Sequence, residues 1–341
     1  MMAEVKKTIK RSKLLSFLLF KIQVMLRGFK NIDTSEVDLF DYKKLAMNNR
    51  FCPLDRIIDN NYFGINFCLR RFSKNNREIL LYIEHGLFLG SLVKEDSIHI
   101  GNAIITFSDY REKQISAKTN KDVHKIGPYI AYAEELYDKS SFQVQKKKLG
   151  KTLLVFPSHS TKAVSISIDT VQFTEVIEDT KKKGGFQSVV VCLFYIDIQN
   201  GYDKPYIESG YKVFCAGHRM DKLFLDRLKT VISLSDFVLS NDVGTHVGYV
   251  HYMKKPQAIY PQNIEICAKD QTAYTREVSQ RDDVAWSTFE EIKASIISDY
   301  IFNTDSFNYE EIKESKLTEY IWGFEHVKNK REIKAVIDDN I

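Results

Sequence analysis

At 341 residues, with 44% hydrophobic and 12% aromatic content, the chain is long enough to bury two cores, so two domains are the first expectation. A formal net charge of +4 is too mild to imply nucleic acid as a partner. The five cysteines (Cys52, Cys68, Cys192, Cys215 and Cys267) are odd in number, widely spaced and without zinc-ligand spacing, and they read as core thiols in a reducing compartment.

The basic excess is concentrated at the front, where eight Lys or Arg precede Asn31 against the single Glu4. The run Leu14 to Phe20 (LLSFLLF) is ended by Lys21, has no small-residue cleavage site after it and is well short of the ~20 residues that span a bilayer, so it reads as neither signal peptide nor span. Extended to Phe29 it is a helix with a broad apolar face and Lys21, Gln23 and Arg27 opposite. Either this helix lies in a membrane interface, with Lys6, Lys7, Lys10, Arg11 and Lys13 on anionic headgroups, or it packs on its own domain. Residues 1–30 are set apart as this segment.

From Asn31 to Ser73 the pattern is irregular and suits helices and loops. Glu78 to Ile83 then forms a short apolar run bounded by charge, as a buried parallel strand does, and leads into Glu84-His85-Gly86. A second strand, Ala103 to Phe107, ends at Ser108-Asp109-Tyr110-Arg111 and is followed by a helical stretch. Lys125 to Ile130 is a strand or turn. Residues 31–140 are read as a first Rossmann-like domain, and the run Asp138 to Lys151, with Lys146-Lys147-Lys148, as the interdomain linker.

A fresh α/β series begins at Thr152. The strand Thr152 to Phe156 gives Pro157-Ser158-His159-Ser160-Thr161, and a helix covers Thr170 to Lys183. The strand Ser188 to Tyr195 comes next, then the strand Lys212 to Cys215, which leads to Ala216-Gly217-His218-Arg219. A helix from Asp221 to Ile232 precedes the strand at Phe237, which ends in Ser240-Asn241-Asp242. Gly244-Thr245-His246 then opens a helix, and Gln257 to Tyr260 closes the series. Five strands alternating with helices make residues 151–300 a doubly wound, Rossmann-like second domain, and 301–341 a helical tail.

The chemistry is sought at the strand ends, because open α/β sheets bind ligands beyond the carboxyl ends of their strands. The free N–H groups of the helix opened by Gly244 and Thr245 favour an anion, with Ser240 and Asn241 adding polar groups beside them; the alternative is that Ser-Asn-Asp merely caps a crossover helix. No G-x-G-x-x-G follows the first strand and no G-x-x-x-x-G-K-[ST] occurs, which speaks against nicotinamide, flavin and P-loop sites, so no cofactor is implied.

Six stretches together resemble the GT-B fold of nucleotide-sugar glycosyltransferases, and more narrowly the bacterial capsule and surface-polysaccharide transferases. They are EHG (84–86), TFSDYR (106–111), IGPYIAYA (126–133), FPSHS (156–160), SNDVGTH (240–246) and YIWGFEHVK (320–328). The resemblance implies two Rossmann-like domains facing each other across a cleft. The acceptor domain comes first and the donor-nucleotide domain second, and the C-terminal helices cross back onto the first. It implies a nucleotide sugar as donor and a glycan or glycolipid as acceptor, and the segment Lys6 to Phe29 is expected to hold such an enzyme on the cytoplasmic face of the cell membrane. Such enzymes need no D-x-D metal motif, and none occurs here. On this reading His85, Glu84 and Asp109 are the candidate acids and bases, and Gly86 and Arg111 face the acceptor. Ser158, His159, Ser160, His218, Arg219, Ser240, Asn241, Gly244, Thr245 and His246 face the donor, with no metal ligand. A CMP-sugar (sialyl- or Kdo-type) transferase, a polyol-phosphate transferase of the teichoic-acid type and a non-catalytic nucleotide-binding protein remain as rivals.

Overall fold

The structure is a computed structural model that describes residues 12–27, 34–47, 55–161, 164–269, 271, 275, 283–302 and 308–338. It is a mixed α/β protein with two parallel sheets. The first has the order β1 (Tyr82–Ile83), β2 (Ile104–Thr106), β3 (Val123–Lys125). β1 is shorter than the apolar run predicts. Outside it the Asn60 side chain takes the place of a neighbouring strand: its Nδ2 donates to the carbonyls of Ile79 and Leu81 at 3.3 and 2.8 Å, and Ile83 N donates to its Oδ1 at 2.9 Å. A buried amide thus satisfies an edge that would otherwise be left open.

The second sheet is built from β4 (Thr152–Phe156), β6 (Ser188–Cys192), β7 (Lys212–Phe214), β8 (Phe237–Ser240) and β9 (Gln257–Ile259). All five are parallel in the order β7-β6-β4-β8-β9. Counted along the chain this is 3-2-1-4-5, the doubly wound order whose connections reverse direction between the first and fourth strands, here β4 and β8. Continuous apolar runs make these strands because helices cover both faces, and β4 and β8 are buried along their whole length. A two-stranded antiparallel ribbon, β5 (Val164–Ser167) with β10 (Glu265–Ala268), stands beyond the sheet. The sequence reading had no element for either strand.

One hydrophobic core joins the two sheets, running from Ile83, Ile105 and Phe107 through Leu225, Leu228 and Ile232 into Leu154, Val190 and Val238. The helix Phe224–Leu234 is its keystone. Asp226 accepts two guanidinium bonds of 2.7 Å from Arg71, and Asp221 holds Arg227 at 2.9 Å and the Thr34 hydroxyl at 2.6 Å. The stretch expected as a linker contains the helix Lys139–Leu149, capped by Asp138 through Ser141 N at 2.7 Å.

The tail reaches both sheets. Trp322, ending the helix Lys316–Trp322, donates from Nε1 to Thr245 O at 3.0 Å, and Asp338 accepts from Asn75 at 3.0 Å. Gly323 has φ +68°, and a Cβ there would sit against the carbonyl of Phe107, so only glycine allows this approach. At the other end, the helix Lys13–Arg27 leaves Leu14, Leu18, Ile22, Met25 and Leu26 exposed. The basic residues Lys6, Lys7, Lys10 and Arg11 lie outside the described residues. Among the described residues, no helix is long and apolar enough to cross a membrane.

Candidate functional site

At the carboxyl ends of β4 and β8, where the sheet order reverses, lies a cavity of about 310 Å³. Its floor is Phe156 to His159 and Asp242 to His246, and its wall is Cys192, the last residue of β6, with Leu193 and Phe194 after it. Phe224, Leu225 and Leu228 flank it, and its far side is His85 and Phe63, supplied by the first half of the chain. A concave, mostly apolar space with a few convergent polar groups is the usual form of a small-molecule site.

Several strand-end residues hold the floor together. Both Ser158 N and Ser158 Oγ donate to Asn241 Oδ1, at 2.7 and 3.0 Å, so Asn241 clamps the ends of β4 and β8, and its own Nδ2 donates to Gln262 at 3.1 Å. Ser240 Oγ meets His246 Nε2 at 2.8 Å while the imidazole stacks on Phe156 at 4.4 Å. Burial pushes the His246 pKa down to about 3, helped by His159, so the ring is neutral. Gly244 has ordinary extended backbone, and a Cβ there would meet that ring at 2.8 Å. Its smallness therefore serves His246 directly. The Thr245 hydroxyl accepts from Leu87 N at 3.3 Å, tying the opening turn of the helix Thr245–Tyr252 to the loop after β1.

His85 closes the cavity from that loop. Its ring stands edge-on to Tyr62 at 4.8 Å, and its Nδ1 is buried without a hydrogen-bond partner. Burial, then the charge of Lys94, lowers its pKa to about 4, while Asp59 opposes the shift. His85 is thus a neutral base candidate facing the switch point. Phe63 beside it has φ +59°, rare for a side-chain-bearing residue, and is held there by Phe63 N donating to Arg219 O at 2.6 Å. His159 packs on Phe194 at 4.6 Å and lines the cavity.

The other sequence candidates are placed elsewhere. Glu84, next to His85, points away and is buried with Arg111, which grips both its oxygens at 3.1 and 2.7 Å and also donates to Gly90 O and Leu92 O. Thr106 Oγ1 donates a third hydrogen bond to Glu84 at 2.7 Å, and neither member of the pair lines the cavity. The residues expected as base (Glu84) and acceptor contact (Arg111) are thus placed in a buried ion pair away from the cavity, because adjacent residues at a strand end face opposite ways. Asp109 is bound by Lys125 at 2.6 Å and His326 at 3.0 Å, away from the cavity. Gly86 has open space around it and crowds nothing. Ser160 is buried, with its N–H on Asp197 and its Oγ accepting from Ile166 N. His218 packs against Tyr195 at 4.3 Å, and Arg219 lies over Tyr62 at 4.6 Å behind His85. Asp109, Glu325 and His326 form a cluster of metal-ligating type among the described residues, but it lies outside the cavity lining and Lys125 already neutralises Asp109.

Sequence reasoning sought polar strand ends and so missed the aromatic walls. Phe194 had a signal, standing within the apolar run Ser188 to Tyr195, whereas Phe63 had none, since it enters from the short 3-10 helix Ile58–Gly64 upstream of β1. The chain matches no protein-family model and no curated protein.

Proposed function

We propose that the chain is a glycosyltransferase of the two-domain GT-B kind, moving a sugar from a nucleotide donor to a hydroxyl of a surface-glycan acceptor. The observation that carries this reading is the cavity at the switch point of a 3-2-1-4-5 parallel sheet, closed by a residue of acid–base type from the loop of a second parallel sheet. The nucleotide occupies the cavity, its base or ribose against Phe194 and Phe156. Its phosphate lies toward the amino end of the helix Thr245–Tyr252, where the helix dipole offsets charge developing on the leaving group. The acceptor enters from the His85 side. Neutral at pH 7, His85 accepts the hydroxyl proton as the new glycosidic bond forms, and the adjacent anion favours the imidazolium that results.

The exposed apolar face of the helix Lys13–Arg27 supports attachment to the inner membrane face, where lipid-linked acceptors reside. Full-length protein is expected to co-sediment with anionic vesicles and to be released by salt. Equal pelleting of a variant lacking residues 1–30 removes this part. The activity itself is tested by incubating the protein with a panel of nucleotide sugars and measuring free nucleotide. Slow release without acceptor, accelerated by glycan extracts, is the expected result, and no release from any donor overturns the reading.

A further inference from the structure

A second cavity of about 180 Å³ adjoins the one at the switch point: Pro157, Ser158, Ile166 and Leu193 line both. The two differ in chemistry. The side chains around the main cavity are mostly apolar or aromatic, whereas the side cavity is lined by Ser165, Ser167, Thr170, Tyr202, Tyr206 and Asp197. The β5–β10 ribbon, which carries Ser165 and Ser167, stands over it. Apolar walls bury a ligand, and a few placed polar groups decide which ligand it is.

Asp197 is the charged member of that lining. It sits in the short helix Tyr195–Gln199 after β6, and its two oxygens share the Ser160 N–H at 3.1 and 3.3 Å. The Ser160 hydroxyl bonds it as well, and among the described residues Ser160 is the source of its hydrogen bonds. A carboxylate has about four acceptor positions, so room for a further donor is left. Burial pushes the Asp197 pKa up, outweighing the Ser160 bonds and the charges of His159 and Lys269, as expected of a carboxylate that its own protein does not fully satisfy. With the phosphate end of a nucleotide toward Thr245 and the ribose against Phe156 and Phe194, the base is the part that passes Leu193 into the side cavity. A carboxylate accepts hydrogen bonds and donates none, so the group that meets Asp197 must be a donor. The amino groups of cytosine, adenine and guanine project an N–H beyond the ring. Uracil and hypoxanthine have no amino group and set a carbonyl oxygen where cytosine and adenine carry theirs. Two acceptors face to face leave both unpaired.

We propose that the side cavity reads the base of the nucleotide and that Asp197 selects a base carrying an exocyclic amino group; the proposal rests on the nucleotide-sugar reading above. Isothermal titration of the full chain with the 5′-mono- and diphosphates of cytidine, uridine, adenosine, guanosine and inosine tests it. The tightest ligand is expected to carry an amino group. It should bind at least about tenfold more tightly than its counterpart without one, uridine for cytidine and inosine for adenosine or guanosine, the scale of one hydrogen bond to a charged group. Hydrogen exchange on the wild-type protein with that ligand bound should slow at Ser165 to Ser167, which needs no variant to fold. Asp197→Asn keeps an oxygen for Ser160 N–H but adds an amide N–H, and it is expected to reduce the preference to about threefold or less. A uridine or inosine nucleotide that binds as tightly as its amino counterpart overturns the proposal and leaves the nucleotide reading standing. A preference that Asp197→Asn leaves unchanged, or protection confined to other parts of the chain, does the same. No binding by any of the ten overturns the nucleotide reading and the proposal with it.

Discussion

The two parallel sheets end their strands in similar polar clusters, yet they use them differently. Beyond the five-stranded sheet, Ser158, Asn241, Ser240 and His246 bond one another into a floor that leaves a cavity above it. Beyond the three-stranded sheet, Glu84 with Arg111 and Asp109 with Lys125 close on themselves, and His85 alone turns toward that cavity. A polar strand end is therefore a site only where its partners leave a vacancy. The first sheet has short strands and needs its polar groups to hold loops. The second is stable through its buried apolar strands and can hold uncharged imidazoles in a cavity.

The largest expected effect comes from acid, which attacks the cavity on both sides. His85 and His246 titrate near pH 6.5 when unfolded but near 4 and 3 when folded, so between these values the unfolded state binds the extra protons. Their contribution to stability is complete above about pH 6.5 and is lost as pH falls toward 4, at up to about 1.4 kcal/mol per pH unit for each ring. Urea unfolding at pH 7, 6, 5 and 4 should show this fall. His246→Phe, which keeps the stack on Phe156, should lose roughly half as much, and an unchanged slope would mean that the rings titrate normally.

Next in size is the buried pair of the first sheet. Arg111→Met leaves Glu84 buried and unpaired and is expected to cost about 3–5 kcal/mol in urea unfolding. Adding Glu84→Gln to it should restore part of the loss, since the stranded charge is the main penalty. A single variant of wild-type stability would show that the pair is not closed in solution. His85→Ala is expected to act on rate: about 100-fold lower turnover in the transfer assay, with nucleotide affinity within a few-fold. A loss confined to stability would make His85 a packing residue and the two sheets alike.

The second sheet was legible in the sequence because each of its strands is an apolar run between polar punctuation, and the cavity's floor stands directly after two of those runs. The first sheet was legible as strand positions only. Nothing local distinguishes Glu84, which turns inward to Arg111, from His85, which turns to the cavity, because the choice depends on Arg111 arriving from a helix many residues later. The β5–β10 ribbon pairs segments about a hundred residues apart and has no short-range signal. Asn60, which completes the outer edge of β1, lies in the irregular stretch Asn31 to Ser73, where no local pattern marks one amide from another.

The smallest effect separates a surface charge cluster from a catalytic one. Asp109 has its pKa lowered first by the hydrogen bond from Lys125 and then by His326, the signature that a candidate base or metal ligand also shows. Its side chain is 40% exposed, so solvent screens these partners, and the bonds contribute under about 1 kcal/mol. A folded pKa below the unfolded value means that even this small contribution is present at neutral pH and fades as acid protonates the carboxylate. Asp109→Asn should therefore shift unfolding by less than about 1 kcal/mol at pH 7, by less still once pH falls through the lowered folded pKa, and leave turnover within about twofold. Since Asp109 reaches His326 in the tail, any change should appear first as looser docking of residues 316–338, seen as faster hydrogen exchange there. A drop in turnover comparable to that of His85→Ala, with this exchange unchanged, would place the base beyond β2, the middle strand of the first sheet, and reverse the contrast between the two.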